Sequence, residues 1–451
     1  MPDTVASHKP HRKTLWFTSL YTLLASIVVV TANFIVNIIV TRTISSEGVG
    51  NYALMLSTGY VMMVVVGQSL TTGLAYVVSR NRPAIGSLVL QIIGVCLFEF
   101  FVAYGMLWMV QKTVFSEAFL PGDTDQIILI LAALLPVVQN MGEYWRIILI
   151  TRQEAVKANQ VVMIQRLLQV MLIAALGGVY YWGGVKVSYV PIIGLVILSF
   201  LLANILYIKY LSPLFSYGAS RLKEVFVFSI PVYLGDLFRA LNYRMDVFFV
   251  SYFQNPSEVG FYVIAVQTAN LILLVANAFA TNLLPRIAAS RTINQDDAHR
   301  SAQVVRIIFW FNLVCVLGLA SLSWWLIPIL YTEKFVNSVT PLLLILPGTW
   351  LLSLTFIITS YINGIGKTRI NLFISLITFF AILVLDILLI PRYSIIGASI
   401  ASSIAYTVGA IFSMGYFLWK TGLPIKSLVW INHEDIFQLR TIIGQFRKQR
   451  Q

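Results

Sequence analysis

The residues of this chain most able to do chemistry are four charges in one otherwise apolar stretch: Asp236, Arg239, Arg244 and Asp246. On a helix with 100° per residue, all of them except Arg244 share an arc of about 80° with Tyr243, and Asn242 lies at its edge. A guanidinium is permanently charged, and its planar fork matches phosphate oxygens. The arc therefore predicts a binding site for a phosphate-bearing substrate. A purely structural pair of Asp236 with Arg239 is the alternative.

A membrane setting strengthens this interpretation. A charge at the centre of a membrane helix costs about 2.5–3.5 kcal/mol on insertion scales. Arg239 lies near the middle of a helix predicted over 225–250, so we expect it to face a polar cavity. Glu99 lies in another apolar stretch with no cation at helical spacing. Glu99 and Asp236 are candidates for binding a coupling ion, and an interhelical hydrogen bond is the alternative role for Glu99.

Polar stripes on three further predicted helices support a polar cavity. Each stripe occupies one helical face, and interhelical hydrogen bonding is the alternative explanation for each. The members are Gln267, Asn270, Asn277 and Thr281 on one helix, Thr22, Ser26, Asn33 and Asn37 on a second, and Ser57, Gln68 and Thr71 on a third.

The composition identifies the elements that must position these side chains. Of 451 residues, 58% are hydrophobic and 11% are charged, whereas an ordinary globular protein has about 25% charged residues. This excludes a soluble multidomain protein. The net charge of +13 would indicate a nucleic-acid partner in a soluble protein, but in a membrane protein it is typical of cytoplasmic loops.

Apolar stretches of about 20 residues predict twelve membrane-spanning helices in an all-α protein. With both termini in the cytoplasm, most of the 31 Lys and Arg residues fall on the inner side. The predicted spans are 14–40, 50–78, 84–110, 127–150, 161–182, 188–210, 225–250, 259–284, 304–330, 338–362, 371–391 and 395–420.

The two halves of the chain align with each other. Val49–Tyr52 matches Val259–Tyr262 at an offset of 210, and Ile150–Asn159 falls on Ile362–Asn371 at an offset of 212. Repeats of six spans have the same orientation, which predicts a pseudo-two-fold axis along the membrane normal. We expect six-helix lobes at 1–210 and 225–420, joined by a cytoplasmic linker at 211–224.

Three segments carry a resemblance to a known family. They are TRTISSEGVGNY after the first span, YINGIGKTRINLFISLI, and IPRYSIIGASIASSIAY. The chain resembles polysaccharide-repeat flippases of the Wzx type, in the superfamily that also holds multidrug and toxin extrusion transporters. The resemblance implies two lobes around a central cationic cavity that alternates between inward-facing and outward-facing forms. Lipid II flippases of this superfamily usually have fourteen spans, against the twelve predicted here.

The resemblance implies a flippase for undecaprenyl-diphosphate-linked oligosaccharide in a bacterial inner membrane, serving O-antigen (lipopolysaccharide), capsule or exopolysaccharide synthesis. Its expected partners are that substrate, membrane lipids, a counter-ion such as H⁺ or Na⁺, and a polysaccharide polymerase. A multidrug-type cation antiporter on the same fold is one alternative, and a membrane polysaccharide polymerase or ligase is another. We expect no enzyme activity, cofactor or nucleic-acid partner. We also expect no metal site, since the four His residues form no ligand cluster.

The basic tail at 421–451 is not a further span. From Asn432, apolar residues recur at helical spacing beside cations, which favours a helix on an anionic membrane surface. A solvated tail is the alternative.

Overall fold

The computed structural model describes residues 12–81, 84–184, 187–218, 221–289 and 295–430. Within these ranges the chain is helical and contains no strand, which confirms the predicted all-α class. The α-helices are α1 (Arg12–Thr43), α2 (Ser46–Met63), α3 (Leu70–Asn81), α4 (Ile85–Gln111), α5 (Ser116–Phe119), α6 (Gln126–Thr151), α7 (Ala155–Gly183), α8 (Tyr189–Leu211), α9 (Leu222–Phe253), α10 (Pro256–Ala269), α11 (Leu273–Ala289), α12 (Gln295–Tyr331), α13 (Val339–Gly364), α14 (Thr368–Thr421) and α15 (Lys426–Val429).

Short segments of other helical types interrupt this series. A π-helical segment, Val64–Gln68, lies between α2 and α3, so that one predicted span is built from three pieces. A 3₁₀ turn, Asn270–Ile272, separates α10 from α11 in the same way. Further 3₁₀ turns are Ser212–Leu214 and Glu333–Ser338.

Every predicted span has a helical counterpart. Ten stretches of the described residues are long and apolar enough to cross a membrane, and α9, which carries six charged residues, is not among them. One of the ten is α14, whose 54 residues contain a non-helical residue, Ser394, with φ 53° and ψ −139°. Pro391 lies three residues earlier and has no N–H to donate to the helix. The break at Ser394 therefore divides α14 where the sequence separates its last two spans.

The two halves begin their second spans with the same kind of cap. Ser45 Oγ accepts from the Gly48 amide at the start of α2, at 3.1 Å. Asn255 Oδ1 accepts from the Glu258 amide at the start of α10, at 3.0 Å. Ser and Asn are favoured at this position because their oxygen satisfies a free amide of the first turn. Ser45 and Asn255 are 210 positions apart, the offset of the sequence match, while the symmetry of the lobes stays a prediction.

The chain forms two compact units, Met1–Ala240 and Leu241–Gln451, and the boundary falls inside α9. The predicted linker, 211–224, precedes this boundary. In the first unit the core joins α3, α4, α6, α7 and α8 around buried side chains such as Leu88, Trp145 and Ile148. In the second unit it joins α11, α12, α13 and α14 around Ile358, Tyr361 and Phe417.

Large apolar side chains also cover much of the outside. Phe98 and Phe101 on α4 are 69% and 68% exposed, and Val314 on α12 is 68% exposed. Such surfaces suit contact with lipid tails, because apolar patches of this extent are rare on soluble monomers.

The tail begins with a short ordered stretch. Arg306 Nη1 donates to the Ser427 carbonyl at 2.6 Å, and Trp310 Nε1 donates to the Val429 carbonyl at 2.7 Å, so α15 packs on α12. The predicted surface helix from Asn432 lies outside the described residues.

Candidate functional site

The candidate substrate site begins at the middle of α9. Asp236 and Arg239 form an ion pair one turn apart, through Oδ1 and Nη2. The Arg239 side chain is 62% exposed and that of Asp236 is 15% exposed. The predicted pair is therefore present, but the guanidinium also has a free, accessible side. An exposed charge in the centre of a membrane helix requires water or a charged ligand around it.

The π-helical segment and the residue after it support this pair from within the first unit. Ser69 Oγ donates to Asp236 Oδ2 at 3.1 Å, and the Tyr233 hydroxyl donates to the Val65 carbonyl at 3.2 Å. Asp236 is thus held by Arg239 on one oxygen and by Ser69 on the other. Gly73 permits this close packing, since a Cβ there would overlap the Val225 carbonyl of α9.

Glu99 lies on the other side of the same segment. It is 1% exposed, and its carboxylate accepts from the Tyr144 hydroxyl at 2.5 Å and from Asn140 Nδ2 at 3.3 Å. Both donors belong to α6, whereas Glu99 belongs to α4, so the interhelical hydrogen bond considered for Glu99 is confirmed. Gly67 has no room for a side chain here, because a Cβ would overlap Glu99 Oε1 and the Tyr144 hydroxyl.

The second half of the predicted α9 arc belongs to the second unit. Asp246 is 2% exposed and accepts from the Tyr262 hydroxyl at 2.5 Å and from its neighbouring Val247 amide at 2.8 Å. Ser402 Oγ lies 3.5 Å from the same carboxylate. Tyr243 is 41% exposed, and Arg244 is half-buried. The arc is therefore accessible at Arg239 and Tyr243 but buried at Asp246.

The other predicted polar residues differ in exposure. In the first unit Asn33 is exposed, and Asn37 and Gln68 are half-buried. In the second unit Asn270 and Asn277 are exposed, and Gln267 is half-buried. Their side chains are available to a polar ligand in varying degree, and their role stays a prediction.

Asp386 is a residue to which the sequence pattern assigned no role. It lies on α14 with 0% exposure, and neither carboxylate oxygen has a hydrogen-bond partner among the described residues. A signal existed in the sequence, since an acidic residue inside an apolar span is costly unless it is neutral or bound. By contrast, Glu143 and Arg146, three residues apart on α6, form an ion pair at 2.7 Å.

A second cationic site in the first unit lies where α3 ends and α9 begins. It is a surface cavity of about 470 Å³. Its lining consists of Tyr76, Arg80, Arg221, Lys223, Glu224, Val227 and Phe228. Tyr76 stacks on Phe228 with ring centroids 3.5 Å apart, and Glu224 pairs with Arg221 at 3.0 Å. The sequence assigned these cations only to the cytoplasmic face, because spacing along the chain does not show that α3 and α9 meet.

No group of three or more His, Cys, Asp or Glu residues in the described part of the chain could hold a metal ion. The first unit offers an accessible Arg beside a fixed carboxylate, and a buried carboxyl behind it.

These features define a class of protein, a polytopic helical membrane protein, and the fold is found in solved structures. Over 95% of this chain and 92% of the other, the structure resembles the inward closed form of the lipid II flippase MurJ, with a TM-score of 0.72 and 16% identity. Over 87% and 94%, it resembles an inward-facing multidrug resistance transporter of the MATE family, with a TM-score of 0.67 and 15% identity. At these identities the likeness shows the fold alone.

The sequence gives the family. The model described as "Polysaccharide biosynthesis protein" matches residues 15–291, more than half of the chain, which therefore belongs to that family. A second model, MatE, matches residues 231–388. The chain is 26% identical over 208 residues to the capsular polysaccharide biosynthesis protein CapF of Staphylococcus aureus, covering 44% of this chain and 50% of CapF.

An uncharacterized membrane protein of Methanocaldococcus jannaschii, MJ1068, is 24% identical over 242 residues, covering 52% of this chain and 47% of that protein. The matches thus span about half the length of each of these two curated relatives. The resemblance to polysaccharide flippases of this superfamily is confirmed by the family, the fold and CapF together.

Proposed function

We propose that this protein is a flippase that moves an undecaprenyl-diphosphate-linked oligosaccharide from the inner to the outer leaflet of a bacterial inner membrane by alternating access. The product would serve O-antigen, capsule or exopolysaccharide assembly, with a polysaccharide polymerase as the consumer. The observation that carries this proposal is the exposed guanidinium of Arg239 at the middle of α9.

The charge of Arg239 fits a diphosphate better than a cationic drug. A guanidinium binds two phosphate oxygens at once through parallel N–H donors. Asp236 uses one oxygen for Arg239 and the other for Ser69, so it orients the guanidinium while leaving its exposed side for a ligand. The lipid tail of the substrate would remain in the bilayer.

The second cationic site, which also lies on α9, supports an anionic substrate. Lys223 and Arg239 are 16 residues apart, or about 24 Å along α9 at 1.5 Å per residue. Arg80 and Lys223 add positive charge to a cavity with an aromatic wall, which would attract phosphate groups at the membrane surface. The second cationic site and Arg239 lie at the start and the middle of α9, and the substrate would pass from one to the other.

A multidrug-type cation antiporter is the second candidate function. The MatE match over 231–388 and the buried carboxyls Asp246 and Asp386 favour it, since acidic residues suit cationic cargo. The family match and the accessible Arg239 favour the flippase. A membrane polymerase or ligase has less support, because the Ser69 hydroxyl beside Asp236 is buried and that carboxylate is already paired with Arg239.

The deciding experiment replaces Arg239 in a strain whose surface polysaccharide depends on this protein. Arg239→Ala should abolish the polysaccharide at unchanged protein level in the membrane, and Arg239→Lys should restore part of it because a charge remains. Arg146→Ala is the matched control, since Arg146 also follows an acidic residue by three positions on a membrane helix. Normal polysaccharide in Arg239→Ala would contradict the flippase. Export of a cationic dye that Arg239→Ala leaves intact would favour the antiporter.

A further inference from the structure

Glu99, Tyr144 and Gly67 form a buried cluster beside the π-helical segment, in which two acceptors compete for one hydroxyl proton. The Tyr144 oxygen lies 2.5 Å from Glu99 Oε1 and 2.8 Å from the Gly67 carbonyl. Both of these are acceptors when Glu99 is ionised, but a tyrosine has a single O–H donor. Tyr144 can therefore satisfy Glu99 or Gly67 fully, but not both.

One added proton resolves this competition. If Glu99 Oε1 takes up a proton, its new O–H donates to the Tyr144 oxygen, and the Tyr144 hydroxyl is free to donate to the Gly67 carbonyl. No other bond is formed or broken, and the net change is one H⁺ taken from water. Protonation of Glu99 thus changes the partner of a backbone carbonyl in the π-helical segment.

The surroundings of Glu99 favour a site that exchanges a proton. Glu99 and Tyr144 are each 1% exposed, Asn140 is fully buried, and none of the ion pairs among the described residues includes Glu99. The titratable groups facing it are Tyr144 on α6 and Cys96 on its own helix, and the π-helical segment contributes none. Burying a carboxylate without a cation is unfavourable, which favours the protonated, neutral carboxyl.

The π-helical segment links this cluster to the candidate substrate site. On one side, Tyr144 donates to the Gly67 carbonyl. On the same side, Asn140 donates to the Met63 carbonyl at 3.0 Å. On the other side Tyr233 bonds to the Val65 carbonyl. One residue beyond the segment, Ser69 bonds to Asp236. Every one of these contacts lies within the first unit.

We propose that Glu99 is a proton-binding site and that its protonation, read by Tyr144, sets the hydrogen bonding of the segment 64–68 and through it the position of Asp236 and Arg239. The ligand is H⁺, and this proton site does not depend on whether the cargo is an anionic lipid or a cation.

Two measurements on the full-length protein in lipid test it. The first is infrared difference spectroscopy between low and high pH, which detects the carbonyl stretch of a protonated carboxyl. The wild type should show a titrating band that Glu99→Gln removes and Asp246→Asn, the control for another buried carboxyl, retains. Persistence of the whole band in Glu99→Gln would overturn the proton site.

The second measurement is amide hydrogen exchange of peptides covering residues 60–72, corrected for the intrinsic effect of pH. Exchange should differ between the two pH values in the wild type and become independent of pH in Glu99→Gln, which keeps the size of the neutral form. Tyr144→Phe should retain the infrared band but lose the response of the segment. If the exchange of residues 60–72 in Tyr144→Phe still responds to pH as in the wild type, Tyr144 does not connect Glu99 to the segment. Because Tyr144→Phe keeps Glu99, this test does not depend on the folding of Glu99→Gln.

Neither readout uses the transported substrate. If both succeed while Arg239→Ala still makes normal polysaccharide, the flippase assignment fails and the proton site remains.

Discussion

At the scale of single residues, exposure separates charges that the sequence placed on one arc. Asp236 and Arg239 are joined to each other, and Arg239 remains accessible. Asp246 shares their face of α9 by helical spacing, but it is buried against Tyr262 and Ser402. Spacing gives the direction of a side chain from its helix axis, whereas burial depends on which helix packs there. The sequence could therefore predict the pair of Asp236 with Arg239 but not the closed environment of Asp246.

The bond between Tyr262 and Asp246 should contribute to stability. Tyr262→Phe removes a hydroxyl that donates to this carboxylate at 2.5 Å. Leaving a buried acceptor short of a donor costs about 1–3 kcal/mol, and more if the acceptor is charged. We expect a lower unfolding temperature in detergent. Tyr361→Phe is the control, because Tyr361 is equally buried and its hydroxyl has no hydrogen-bond partner among the described residues. Equal losses in the two variants would show that the bond contributes nothing.

At the scale of elements, the breaks within the helices were harder to predict than the helices themselves. Length and apolar composition predicted each span, because a helix must satisfy its own backbone in a lipid core. The π-helical segment was not predicted, since residues 50–78 read as one continuous apolar helix. Its cause lies in packing: Asn140 and Tyr144 donate to carbonyls at Met63 and Gly67, which reduces the cost of the altered backbone pattern.

Gly67→Ala tests how tightly this segment is packed. The added Cβ would overlap Glu99 and the Tyr144 hydroxyl, and overpacking of a filled interior costs about 1–3 kcal/mol. We expect reduced thermal stability and loss of surface polysaccharide. Gly94→Ala on α4 is the control, because no atom lies within 4 Å of the Cβ that it would add. If Gly67→Ala matches Gly94→Ala in both assays, the segment can accommodate the added methyl group.

At the scale of the whole molecule, apolar length and composition predicted the most. The all-α class and the family followed from composition, apolar length and loose motifs, and each of the twelve predicted spans has a helical counterpart, although ten stretches of the described residues are long and apolar enough to cross a membrane. The position of the division between units did not follow, because it lies inside a helix, after Ala240, where no change of composition marks it. The sidedness of the loops remains a prediction from the placement of Lys and Arg.

Cysteine labelling tests that sidedness. In a variant with Cys96→Ala and Cys315→Ala, a membrane-impermeant maleimide added to intact cells should label Lys112→Cys and leave Arg300→Cys unlabelled until the membrane is opened. Both positions are exposed in the fold, so the membrane alone decides access. Labelling of Arg300→Cys in intact cells would reverse the predicted topology.

The π-helical segment also depends on the length of the chain. A π turn holds about one residue more than an α turn. In a relative lacking one residue between Met63 and Ser69, this stretch would close as a regular α turn, and the later positions of α3 would face the same way as here. Such a relative would keep its counterpart of Ser69 towards Asp236 but lose the irregular carbonyls to which Asn140 and Tyr144 donate. A one-residue gap at this place in an alignment therefore marks the loss of the π-helical segment, even where all the aligned residue types are the same.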